Sequence, residues 1–320
     1  MKTHISSLLT ARGSRQGFWV LSFILFVLLI IWLSFASAQF MTVENIFNVV
    51  AQTMPLLITA IGELFVVLIG GLDLSVGSVV SFTTAVLALG GPAWILVPSA
   101  LLLVALIGLI NGLVITRLNV HPIVATLSMQ YIILGITRIL RPVSGGSVPN
   151  AVIESVAGSV FGIPYPCFWL LAIVIVSARL IYGSRFGLHL FAIGGGTASN
   201  TDQAARNFGV PVVRNTVLAY VLCSLFAGFA GVFLAGRIVS GDPNVGLLFE
   251  LDAITAVTIG GTQLAGGVGS LHGTILGALV MALLANGMNL LNISPFIQTT
   301  IKGGILLFVI SLQTRKKMGL

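Results

Sequence analysis

The chain has 320 residues, of which 57% are hydrophobic and only 7% charged. Its mean hydropathy of +1.11 excludes a water-soluble globule and places it among integral membrane proteins. The net charge of +7 is then a topology signal, and no nucleic-acid partner is implied.

Apolar runs of roughly 18 residues or more recur, continuous and not alternating, which points to helices and excludes a barrel. The 37 glycines suit closely packed helices in lipid. Residues 1–17, with Lys2, Arg12 and Arg15, read as a cytosolic tail before a first span, Phe18 to Ala38. Ala36-Ser37-Ala38 resembles a signal-peptidase site, but the apolar core is longer than that of a signal, so an uncleaved span is expected. A second span, about Gln52 to Gly70, stops at a Gly70-Gly71-Leu72-Asp73 break. A third runs to Leu89, a fourth ends at Arg117, and a fifth reaches Leu140. Residues Arg141 to Pro166 read as an outer loop with an amphipathic piece near Val152 to Phe161, before a sixth span, Cys167 to Tyr182.

The one long polar break follows, residues 183–215, dividing a first membrane half (18–182) from a second (216–313), which a short cytosolic tail (314–320) closes. Within it, Asn200 as N-cap, Gln203 three residues on, and Gly209 with Pro211 as a stop frame a helix of about two turns. A helix that short is marginal alone and needs something to pack on. A docking element for a partner and a loop folded back on its own membrane domain both meet that need.

Four further spans, about Thr216 to Ala235, one starting near Glu250, Leu271 to Leu291, and Pro295 to Leu312, bring the count to ten, with both termini on the inside. Arg117, Arg185, Arg206, Arg214 and the cluster Arg315, Lys316, Lys317 then lie inside, with Arg138, Arg141 and Arg237 as outer exceptions. Eight spans with two re-entrant pieces fit the same pattern. An echo between Gly71 to Gly77 and Glu250 to Ile254 points to an inverted repeat, a transporter habit with the solute path between the halves.

Ionisable and polar groups within apolar runs face a protein interior or a water-filled path. Glu63, Asp73, Ser75, Asn111, Asp252, Thr255, Thr258 and Gln263 are the candidates for lining such a path. Asp73 and Asp252 could equally cap the helices beginning there. Cys167 and Cys223 lack metal-ligand spacing and read as buried bystanders. No phosphate-binding loop, zinc motif or nucleophile elbow is present, so no catalytic residue, bound cofactor or metal is expected, and uphill transport would draw on an ion gradient or a separate ATPase.

Gly70 to Gly77 (GGLDLSVG), Pro122 to Leu127 (PIVATL), Arg185 to Gly195 (RFGLHLFAIGG), Ala204-Ala205-Arg206 with Gly209-Val210, and Glu250 to Gly277 together resemble the permease subunits of bacterial ABC importers of the ribose and galactose type. The resemblance covers nearly the whole chain after the first span. It implies an all-α polytopic permease of the inner membrane, paired with a second permease copy, identical or paralogous. It also implies cytosolic subunits that hold ATP and Mg, and a periplasmic or extracellular sugar-binding protein. It makes the polar break a coupling segment in which Arg185, Gly194, Gly195, Asp202, Gln203, Ala204, Ala205, Arg206 and Gly209 meet the ATPase. Between Gly195 and Ala204 the chain is several residues longer than the family pattern, so that contact is expected to differ in detail. Importers of branched-chain amino acids or of a furanone-like autoinducer are the nearest alternatives. A secondary transporter with Glu63 or Asp73 as proton site is a more distant one.

Overall fold

The computed structural model describes residues 20, 22–195 and 201–312, and it is built almost wholly of helices. In chain order these are α1 (Ser22–Ala36), α2 (Val43–Leu68), α3 (Val76–Leu87), α4 (Ala93–Arg117), α5 (Pro122–Leu140), α6 (Asn150–Ala157), α7 (Tyr165–Tyr182), α8 (Arg185–Gly194), α9 (Thr201–Asn207), α10 (Val212–Ile238), α11 (Phe249–Ile259), α12 (Leu271–Leu290) and α13 (Pro295–Leu312). Two-residue strands β1 (Ser159–Val160) and β2 (Ile163–Pro164) form a small hairpin between α6 and α7. Among the described helices, α2, α4, α5, α7, α10 and α12 are long and apolar enough to cross a membrane.

The local causes are legible. Thr42, Ser184 and Ser270 each accept a backbone N–H from the first turn of the helix they precede, as N-caps do. At the other end of α2, Gly70 takes φ +80°, and Gly71 N–H reaches back to Val66 O at 3.0 Å. That closure needs a left-handed residue, and glycine adopts it without steric cost.

The core is organised around α2 and α10, of 26 and 27 residues, which pack on each other. Helix α10 carries α4 and α3 on its flanks, and α2 carries α12 and α11. Helix α3 packs on α5 as α11 packs on α13. The exchange of partners relates the segment α2–α5 to the segment α10–α13, and it matches the inverted repeat expected from the sequence.

Inversion shows in the two short helices. Helices α3 and α11, of 12 and 11 residues, are about 16–18 Å long, half a bilayer's worth. Their N-terminal ends meet in the middle of the molecule, where Gly77 lies against Gly246 and Glu250. From there α3 runs to the end bearing α6, where Ala88 O accepts from Arg141 Nη2 at 2.8 Å. Helix α11 runs to the opposite end, bearing α8 and α9, where Gly267 N–H in the loop that follows donates to Leu68 O at 2.9 Å. The third and eighth spans of the ten-span reading are therefore broken: a non-helical lead brings the chain to mid-bundle, and a half-length helix completes the passage. Similarly, the polar stretch 183–215 holds two helices where one was expected. Helix α8 was not foreseen, although Ser184 caps it and Leu190 and Ile193 bury its inner face.

Close packing of α4 on α10 depends on Gly108, where an added Cβ would lie 2.5 Å from Tyr220 O and 2.7 Å from Val221 Cα. Both neighbours are backbone and cannot rotate away. Gly108→Val is expected to destabilise the fold by about 1–3 kcal/mol, the range for an overpacked core. Thermal unfolding of the detergent-solubilised chain, followed by dye labelling of Cys223 as it becomes accessible, measures this; an unchanged midpoint would refute the packing argument.

Candidate translocation core and coupling surface

Where the chain leaves helix between α2 and α3, its backbone N–H groups need partners inside the bundle. Asp73 N–H donates to Glu63 Oε1 at 3.0 Å, Leu74 N–H to Thr126 Oγ1 at 3.1 Å, and Ser75 N–H to Asp73 Oδ1 at 2.9 Å. The Ser75 hydroxyl donates to the same Asp73 oxygen at 2.5 Å and accepts from Asn111 Nδ2 at 3.0 Å. Cys223 Sγ, on α10, donates to Glu63 Oε2 at 3.5 Å. The cysteine read as a bystander is thus part of the network, and Thr126, quoted only within a motif, is a member too. Asp73 organises the turn ahead of α3, close to the capping alternative.

These groups are closed off. Glu63, Asp73 and Ser75 are 0% exposed and Asn111 is 1% exposed. Four of the eight expected path residues therefore gather in one network, satisfied largely by the chain's own groups.

The other four lie elsewhere. Asp252 is inside α11, where it forms an ion pair with Lys302 of α13 at 2.6 Å; it does not cap the helix, whose N-cap position is Leu248. Thr255 and Thr258 are buried and return their hydroxyls to Leu251 O and Ile254 O, one turn back. Gln263 sits in the turn beyond α11, its N–H donating to Val268 O at 2.9 Å. Next to this group, Gln130 Nε2 of α5 donates to Glu250 Oε1 at 3.1 Å, a contact that joins the two halves and that no local pattern announces.

The coupling candidates occupy one end. Helix α9 closes as expected at Gly209, which takes φ +76°, while Val210 N–H donates to Ala205 O at 3.1 Å. Ala205 is buried against Ile193 of α8 and Val212 of α10, which fixes α9 to the bundle. Gln203, Ala204, Arg206 and Phe208 remain exposed, Phe208 at 88%. An exposed bulky aromatic in the turn that closes a one-face-anchored helix is a typical contact element. Arg185, at the start of α8, is exposed. Asn200 and the side chain of Asp202 lie outside what the structure describes. Gly194 and Gly195, at the end of α8, lie directly against Gly266 and Gly267, and Gly194 also against Leu68. A side chain at Gly194 would collide with the backbone of Leu68, Gly266 and Gly267, so α8, the end of α2 and the loop after α11 meet as one junction.

A cavity of about 370 Å³ opens beneath α9, lined among others by Gly70, Asn119, His121, Arg206 and Tyr220. Tyr220 O–H points from it to Leu72 O at 3.5 Å, so the cavity reaches from α9 to the edge of the buried network. Lys302→Met is expected to lower stability by about 1–3 kcal/mol, between the values for exposed and fully buried pairs, by leaving Asp252 unpaired. The double variant Lys302→Met/Asp252→Leu should recover most of the loss in the same unfolding assay; additive losses would show that the pair is not coupled.

Comparison with known proteins follows this geometry. The profile of the family described as "Branched-chain amino acid transport system / permease component" matches residues 45–310. The ribose import permease protein RbsC of Escherichia coli (strain K12) is 36% identical over 306 residues, covering 92% of this chain and 94% of RbsC. The galactose/methyl galactoside import permease protein MglC of Salmonella typhimurium is 32% identical over 325 residues, 94% of each chain. The L-arabinose transport system permease protein AraH of Escherichia coli (strain K12) is 34% identical over 253 residues, covering 78% of this chain and 76% of AraH. No solved structure matches the chain.

Proposed function

The chain belongs to the branched-chain amino acid transport system permease component family, and from that premise we propose that it is the membrane permease of an ATP-driven, binding-protein-dependent importer of a monosaccharide. Support for a sugar comes from the relatives named for ribose, galactose and arabinose, each at least 32% identical over most of this chain. ATP and Mg reside on cytosolic partner subunits, a second permease copy completes the membrane core, and an extracytoplasmic sugar-binding protein delivers the solute.

The end bearing α8 and α9 faces the cytosol of a bacterial inner membrane, with both termini on that side. Arg117, Arg179, Arg185, Arg206 and Arg214 at this end, against Arg138, Arg141 and Arg237 at the other, support that orientation. The observation that carries coupling is α9 itself, pinned by Ala205 and presenting Gln203, Ala204, Arg206 and Phe208 outward. Closure of the ATP-binding subunits would displace α9 with α8 as a rigid unit. Through the glycine junction that displacement reaches the end of α2 and the loop after α11, and so the polar core at the heads of α3 and α11. Asp73 Oδ2 and Asn111 Oδ1 are buried without a donor, so a rearranged core can gain hydrogen bonds as well as lose them. The path forms when Ser75, Asn111, Thr255 and Thr258 exchange their internal partners for a hydroxyl-rich solute.

The test is co-purification from the native host. The intact chain is expected to bring an ATP-binding protein with it, and Ala204→Asp/Phe208→Asp to lose it while remaining monodisperse, because both positions are exposed. Recovery of the ATPase with that variant would overturn the docking role. Uptake of labelled ribose, galactose and arabinose, set against leucine, decides the solute class; ATP-dependent uptake of leucine alone would overturn the sugar reading in favour of the family's printed description.

A further inference from the structure

A second cavity, of about 590 Å³, opens on the outer flank of the same end, between α4, α9 and α10. Three arginines from three different elements border it: Arg117 in the last turn of α4, Arg206 on α9, and Arg214 in the first turn of α10. Positive charge at a span end needs no ligand to explain it. Convergence of three exposed arginines on one cavity is different, because like charges gathered at one place repel one another until an anion lies between them. Arg214 adds to this, since it stands at the positive end of the dipole of a 27-residue helix, where a cation is disfavoured.

The remainder of the lining is apolar. Val213, Val217 and Leu218 form its wall, and Leu218 is 38% exposed on the outer face of the bundle. Helix α4, which forms the opposite side, is buried at only a few positions and turns most of its apolar surface outward. The cavity thus joins a triply cationic head to a hydrocarbon-compatible wall at the end of two membrane-length helices. Free phosphate or a polar acidic peptide complements the first feature and not the second.

We propose that this cavity binds an anionic phospholipid, its phosphodiester held by Arg117, Arg206 and Arg214 and its acyl chains lying along Val217, Leu218 and the outer face of α4. Guanidinium forks suit phosphate oxygens, and basic pockets between spans are the known habitat of anionic headgroups. The bound lipid would tie α9 to α4 and α10 through Arg206, which also lines the cavity beneath α9. This site is independent of which solute is carried.

Native mass spectrometry of the full-length chain tests it, with dioleoyl-phosphatidylglycerol and dioleoyl-phosphatidylcholine added separately to the detergent micelles. The intact chain is expected to retain the phosphatidylglycerol adduct and to release phosphatidylcholine. Arg117→Gln/Arg214→Gln should retain about thirtyfold less phosphatidylglycerol, each of the two arginines near an anionic headgroup being worth roughly a kcal/mol. Arg117→Lys/Arg214→Lys, which keeps the charge, should retain most of it and serves as the folding control. Equal retention of the two lipids by the intact chain, or undiminished retention by the Gln variant, would overturn the proposal. So would displacement of the adduct by excess inorganic phosphate, which would reveal a headgroup-only anion site. Loss of an acidic protein partner from the Gln variant with its lipid unchanged would overturn it in favour of protein docking.

Discussion

A polypeptide that leaves helix in the middle of an apolar bundle exposes backbone donors and acceptors where no water can reach them, and each left unpaired costs on the order of 1–3 kcal/mol. The chain does this twice, ahead of α3 and ahead of α11, and much of the polar chemistry follows. Glu63 receives Asp73 N–H, Thr126 receives Leu74 N–H, and Asp73 receives Ser75 N–H. On the other lead, Ser81 Oγ receives the buried Gly246 N–H at 2.9 Å. The buried carboxyls are first of all partners for broken backbone. A half-helix held by side-chain hydrogen bonds, and not by an unbroken ladder, is also an element that can reorient without unfolding the span beside it.

The two halves solve this problem with different residues. In the first, a carboxyl on the neighbouring long helix supplies the acceptor, and Asn111 of α4 braces Ser75 from behind. In the second, Leu248 takes a left-handed φ of +68° just before α11, and the charge on that helix is met from α13 by Lys302. The first site is sealed, whereas Asp252 and Lys302 keep 16% and 28% side-chain exposure. An architecture repeated with inverted direction need not repeat its chemistry.

Much of this was legible in the residues. Composition and run length specified a helical membrane protein, Gly70-Gly71 marked the end of α2, and Gly209 marked the end of α9, because left-handed closure needs glycine and leaves a local trace. Intramembrane Glu63, Asp73 and Asn111 were conspicuous against their apolar flanks. Their convergence was not, since Glu63 and Cys223 are 160 positions apart and no local pattern encodes such a contact. Breaks were visible at Gly70-Gly71-Leu72-Asp73 and Asp242-Pro243-Asn244, but that each leads into a half-length helix beginning at mid-bundle was not, because the partners of the unwound backbone come from elsewhere in the fold. Helix α8 was hidden by its position next to polar residues, although its Ser184 cap and buried Leu190 and Ile193 carry an ordinary amphipathic signal.

The glycine junction explains how distant elements can act together. Gly194 at the end of α8 touches Leu68 and Gly267, so α8 rests on the last turn of α2 and on the loop that continues from α11. Backbone against backbone transmits displacement without the slack of a flexible side chain, because neither partner has a rotamer with which to absorb it. Leu68 O accepts from Gly267 N–H at 2.9 Å, which fastens two of the three elements directly. A movement of α8 and α9 therefore enters the bundle at the base of the helix that carries Glu63 and at the foot of the half-helix that carries Asp252. Both broken passages are addressed from a single surface, one through α2 and the other through the loop after α11, which is what an inverted repeat requires if its halves are to respond together.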